Sequence, residues 1–187
     1  SWLHLMLAGA LPPHYRLSTE PTESPAPVLR VPGHRIRAGS ALDLLDPEGV
    51  TLAQVTVTAT AGDWLAGQVE ERSGFSILDH VALRTSPAAT ATSWPPGPVW
   101  ALWADAPVTF AVREAARSSA RSAGAILAEI IPVPTGRETS RAANLPVRLA
   151  LAETTRDDSD RIIVVPWPRA AWDDEGIRLR AQVAAAY

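Results

Sequence analysis

The chain reads as an α+β protein: a small antiparallel β-barrel or sandwich module followed by an α/β half. Two observations predict this. From Val28 to Thr85, short apolar runs are broken about every 8–12 positions by turn residues, at Pro32-Gly33, Pro47-Glu48-Gly49, Gly62-Asp63 and Ser73-Gly74. Beyond Ser86–Pro98, a Pro-, Ala- and Thr-rich break, the segments lengthen and become Ala-rich, in the order β-(β)-α-β-β-α. The expected divisions are an apolar arm and Pro-rich linker over 1–27, the β-module over 28–86 and the α/β half over 87–187.

The arm, Trp2 to Ala8, suits a strand or a short helical turn. As a strand it gathers Leu3, Leu5 and Leu7 on one face, expected to bury against a sheet or to dock on a partner. Leu11 to Pro27 is rich in Pro, Ser, Thr and Glu, which rules out a helix or a central strand. In the module the clearest strand is Val50 to Thr60. Ala53, Val55, Val57 and Ala59 form its core face, opposite Leu52, Gln54, Thr56, Thr58 and Thr60. Gly39 and Gly67 inside strand-like runs mark bulges or tight bends.

In the α/β half, Val99 to Trp103 is a strand and Glu114 to Ile130 a helix that ends at Pro132. Val112, Ala116, Ala123, Ile126, Leu127 and Ile130 are its expected apolar face. Pro146 to Glu153 and Arg161 to Val165 read as strands, the second buried on both faces. A closing helix is expected from Ala170 or Ala171, with Asp173, Asp174 and Glu175 in its first turn, where the helix dipole favours negative charge. An open α/β sandwich of ferredoxin-like type results, with Trp2–Ala8 as a candidate for its missing strand.

Composition narrows the chemistry. With 187 residues, 47% hydrophobic and 20% charged, the chain can bury a proper core. A net charge of −3 argues against a broad nucleic-acid-binding field. All 17 basic residues are Arg, as a GC-rich genome favours, so Schiff-base and P-loop lysine chemistry is excluded. The absence of Cys excludes thiolate nucleophiles and Cys-ligated metals. No apolar run approaches the roughly 20 residues of a membrane span, and no signal peptide is expected, which suggests a cytoplasmic protein.

No catalytic constellation emerges. The four His, at 4, 14, 34 and 80, are isolated, and Asp79-His80 would point to opposite faces of a strand. The acidic sets Asp157–Asp160 and Asp173–Glu175 lack the pattern of a calcium loop. Pro32-Gly33, Gly39 and Gly136 are single-Gly turns without the spacing of a nucleotide cradle. No metal, cofactor or small-molecule substrate is expected. The sharpest feature is a basic stripe, Arg113, Arg117 and Arg121 at i, i+4 and i+8, which is costly unless something anionic answers it. Seven Trp, five of them in the second half, add potential anchors.

These features suggest a non-catalytic accessory subunit of a larger assembly. Its expected partner-binding residues are Trp2, Leu3, Leu5, Leu7, Arg113, Arg117, Arg121, Trp167 and Trp172. A membrane surface touched by residues 1–11 is a variant of that reading. The rivals are RNA binding by an OB- or PUA-like barrel and a hydrolase using His34 or His80.

Overall fold

The computed structural model describes residues 2–11, 16–17, 29–46, 49–72, 83–134, 145–154, 161–167 and 174–187. The protein is mixed α+β, with a curled antiparallel sheet and a separate parallel sheet. It divides into two compact units, one of residues 2–78 and one built on residues 79–185.

In the first unit, helix α1 (Trp2–Leu7) precedes five strands: β1 (Arg16–Leu17), β2 (Leu29–Arg30), β3 (Ala41–Leu45), β4 (Thr51–Ala61) and β5 (Trp64–Glu71). The order is β1-β5-β4-β3, with β2 also on β5, and every pairing is antiparallel. The core face of β4 is the expected one, since Ala53, Val55 and Val57 are buried while Thr56 and Thr58 are exposed. Past Val57 the alternation lapses because the register shifts: Val57 pairs with Gly67, but Ala59 pairs with Ala66. Thr58 is the extra residue of a bulge, which bends and twists the strand. Opposite it, a Cβ on Gly67 would lie 2.6 Å from Val55 Cγ1 and 2.7 Å from the Thr56 carbonyl oxygen. Glycine is required there for close approach.

The arm is a helix, not a strand. It buries Leu5, Met6 and Leu7, with Ala10 and Leu11 just beyond it, and packs on β5.

The second unit alternates helix and strand: α2 (Pro87–Ser93), β6 (Val99–Trp103), α3 (Phe110–Ser122), β7 (Ile126–Pro134), α4 (Leu145–Thr154), β8 (Arg161–Trp167) and α5 (Asp174–Ala186). The sheet is β6-β7-β8, wholly parallel. Two expected elements change type. The segment read as one helix from Glu114 to Ile130 splits, because Gly124 at φ +63° ends α3 in a left-handed cap, with the Ala125 N–H on the Ala120 carbonyl at 2.8 Å. The remainder of that segment is a strand buried on both faces, whose unbroken apolar run has no period to read. Pro146 to Glu153 is helical rather than extended. Val147, Leu149 and Leu151 suggest alternation, yet Val147 and Ala150 are buried while Leu149 and Leu151 are exposed, the spacing of a helix. Pro146 sits in its first turn, where no donor is missed.

Register assigns the sheet two faces. Leu102, Glu129 and Ile162 are partners on one, and Trp103, Ile130 and Ile163 on the other. On the first, Val147 and Ala150 of α4 pack with Ala104, Ile131, Val133 and Val164, and Arg113 of α3 reaches Glu129. On the second, Arg180 of α5 lies over the Trp103 ring. Helices α3 and α4 thus share one face and α5 takes the other. Pro132 and Pro134 are tolerated in the middle strand for a reason of register. The Ile126 N–H donates to the Pro98 carbonyl and the Ala104 N–H to the Ile130 carbonyl, so even-numbered residues of β7 point towards β6. Pairing with β6 ends at Ile130, and the two prolines lie beyond it, where no bond is lost.

Candidate functional site

In an open parallel sheet, ligands bind outside the carboxyl ends of the strands. Here that end gathers Trp103, Asp105, Trp167 and Arg180. Trp103 closes β6, and the buried Ala104 holds the exit by its bond to Ile130, leaving Asp105 at the start of a short turn. Thr109 ends the turn and caps α3, its hydroxyl accepting from the Val112 N–H at 3.4 Å. Arg180 reaches back from α5, with Nη1 3.1 Å from Asp105 Oδ2 and its guanidinium carbon 6.0 Å from the Trp103 ring centroid. Trp103 and Trp167 meet edge to face, centroids 4.8 Å apart at 68°.

Both indole N–H groups are buried and have no hydrogen-bond partner among the described residues. Trp167 is only 2% exposed, so its donor is shielded from bulk solvent. A buried donor left unmatched costs about 1–3 kcal/mol, and two in one place point to a group that accepts from them. The far end of α5 is anchored by the Tyr187 hydroxyl, which donates to the Thr85 carbonyl at 2.9 Å. Burial pushes that phenol's pKa up to about 12.

The basic stripe is arranged differently from its expected outward face. Arg113 is fully buried, its Nε and Nη2 on Glu129 Oε2 and Oε1 at 2.8 and 2.9 Å. Arg117 is buried too and pairs with Glu114, whereas Arg121 is exposed. Conversely, Val112, expected inside, is exposed, as is Phe110. Glu129 explains the inversion, since a carboxylate on a central strand needs a cation inside. Of the other residues singled out, Trp2 and Leu3 are half-buried, whereas Leu5 and Leu7 face the interior of their unit rather than a partner. Trp167 lies in the cluster just described, and Trp172 falls outside the described residues. His34 is an exposed turn residue with Nδ1 3.0 Å from the Pro32 carbonyl oxygen, and His80 also lies outside the described residues.

Among the described residues, no three His, Asp or Glu are gathered as metal ligands, and no helix is long and apolar enough to cross a membrane. A recess of about 480 Å³ on the antiparallel sheet is lined by Thr56, Gln68, Val69, Glu70 and Glu71, two carboxylates that would repel an anionic ligand.

Neither a family model nor a curated protein matches the chain. A solved structure does. The chain is similar to the hexameric APS kinase from Thiobacillus denitrificans, at 26% identity and a TM-score of 0.77. The match covers 99% of this chain and 43% of that one, so the chain spans less than half the kinase's length. The neighbour is an enzyme, a kinase, and this likeness overturns the expectation of a non-catalytic structural subunit. It also corrects the expectation of no small-molecule substrate, because the protein it resembles is named as a kinase of the small molecule APS. The single-Gly turns, the ground for expecting no nucleotide, do not decide the matter. Asp105 and Arg180 carried no signal of their own, and what could have marked them was the short strand-to-helix turn after Trp103.

Proposed function

We propose that this chain is part of a nucleotide kinase and that its parallel sheet binds nucleotide at the carboxyl end, between Asp105, Trp103, Trp167 and Arg180. The reading is carried by the likeness to a kinase along nearly the whole chain. The paired, unmatched indole donors in the place where such sheets hold ligands support it. The residues suit an anion. Two buried N–H groups offer hydrogen bonds to phosphoryl or sulfuryl oxygens, and Arg180 supplies the positive charge. Phosphoryl transfer depends on positioning and electrostatic stabilisation more than on covalent help from the protein. With no Lys in the chain, any side-chain cation it offers at neutral pH is Arg or a protonated His. Asp105 restrains Arg180 and would compete with the ligand for it.

Titration with ATP and with APS, followed by calorimetry and tryptophan emission, tests the reading. Binding of at least one nucleotide with a change in emission is expected. Replacing Arg180 with Gln should weaken it about tenfold or more, the size of a lost charge-assisted hydrogen bond. If neither nucleotide produces heat or an emission change at millimolar concentration, the reading fails. The hexameric state of the kinase supports further copies of the polypeptide as protein partners.

A further inference from the structure

The two edges of the parallel sheet are unequal. At β8, Ile163 to Trp167 are buried although the strand is an edge. At β6, Val99, Trp100 and Ala101 are exposed, Trp100 by 45%, and among the described residues no strand pairs with the side facing away from β7. Parallel strands are ordinarily covered on both faces. An edge left to solvent is usually protected by charge, proline or a bulge. Val99–Trp103 has none of these, being Val-Trp-Ala-Leu-Trp.

The helices say what belongs there. Crossovers between parallel strands are right-handed in nearly all proteins. Helices α3 and α4, on one face, carry the chain outward from β6 through β7 to β8. A helix on the opposite face must carry it the other way, and α5 lies on that face. Its contacts run towards β6: Arg180 reaches Asp105 and Trp103, and Tyr187 is tied to Thr85, just before α2 and the approach to β6. Changing faces after the third strand is how a doubly wound sheet returns to its first strand and grows from the other side.

We propose that the polypeptide continues past Tyr187 into a strand that pairs in parallel with the free edge of β6, making β6 an interior strand. The sheet would then reverse its order beside β6, and the crevice created there opens next to Asp105 and Trp103. This inference does not depend on the identity of the ligand, so nucleotide binding and strand addition stand or fall separately.

Amide hydrogen exchange decides it. Since Pro98 and Ala104 point to β7, the N–H groups of Val99, Ala101 and Trp103 point away from it. In the chain ending at Tyr187 they should exchange fast. In the polypeptide as its source translates it they should be about 100-fold slower or more, along with a run of amides beyond residue 187. Equal, fast exchange in both forms would overturn the proposal, as would a native polypeptide that stops at Tyr187. Protection that already appears in the shorter chain and grows with its concentration would assign the edge to a second copy, and would equally overturn it.

Discussion

Strand β4 and helix α3 carry comparable amphipathic patterns, and the protein uses them in opposite ways. In β4 the apolar set, Ala53, Val55 and Val57, turns inward and the threonines turn out. In α3 the cations Arg113 and Arg117 turn inward while Phe110 and Val112 meet solvent. The difference lies in what each element packs against. The first faces an apolar sheet interior, so hydrophobic area decides its orientation. The second faces a strand holding a buried carboxylate, and the cost of leaving Glu129 unpaired exceeds the gain from burying one valine.

The largest expected effect comes from that contrast. Replacing Arg113 with Met should destabilise the unit of residues 79–185 by about 3–5 kcal/mol in urea unfolding, because it strands Glu129 without a cation. Replacing both partners with Leu should restore much of the loss. A single substitution that costs as little as the double one would mean that packing, not charge, orients α3. On the antiparallel side, Gly67→Ala should cost about 1–3 kcal/mol by pressing on Val55 and the Thr56 carbonyl. A neutral result would show that the bulge at Thr58 can yield. The smallest effect is expected for Tyr187→Phe, about 1 kcal/mol for one hydrogen bond. The fold holds the phenol neutral, with its pKa raised from 10.0 to about 12. Its contribution is therefore full below pH 10 and fades as pH rises through 12. Thermal unfolding across that window should show the wild type losing its advantage over the Phe variant and then falling below it, since two units of pKa are worth about 2.7 kcal/mol.

The contrast also explains what could be read from sequence. The β-module was legible because its polarity pattern is local: alternation along β4 and a small residue at Gly67 are visible within ten residues of one another along a strand or across a hairpin. The α/β class was legible for the same reason, from strand and helix runs separated by breakers. The inside of α3 was not legible, because Arg113 answers a residue sixteen positions away whose burial depends on β6 and β8 on either side. The candidate site was less legible still. Trp103, Asp105, Trp167 and Arg180 come from three separate elements and the turn after β6, and only the parallel register brings them to one end.

The prolines of β7 give that end a polarity of its own. Because β7 outruns its pairing with β6 by four residues, Ile131 to Pro134, the sheet has a step about 13 Å long at roughly 3.3 Å per residue. The residues of that step whose backbone turns towards the gap are Pro132 and Pro134, which offer carbonyl oxygens and have no hydrogen to give. Along this ledge the main chain accepts and never donates.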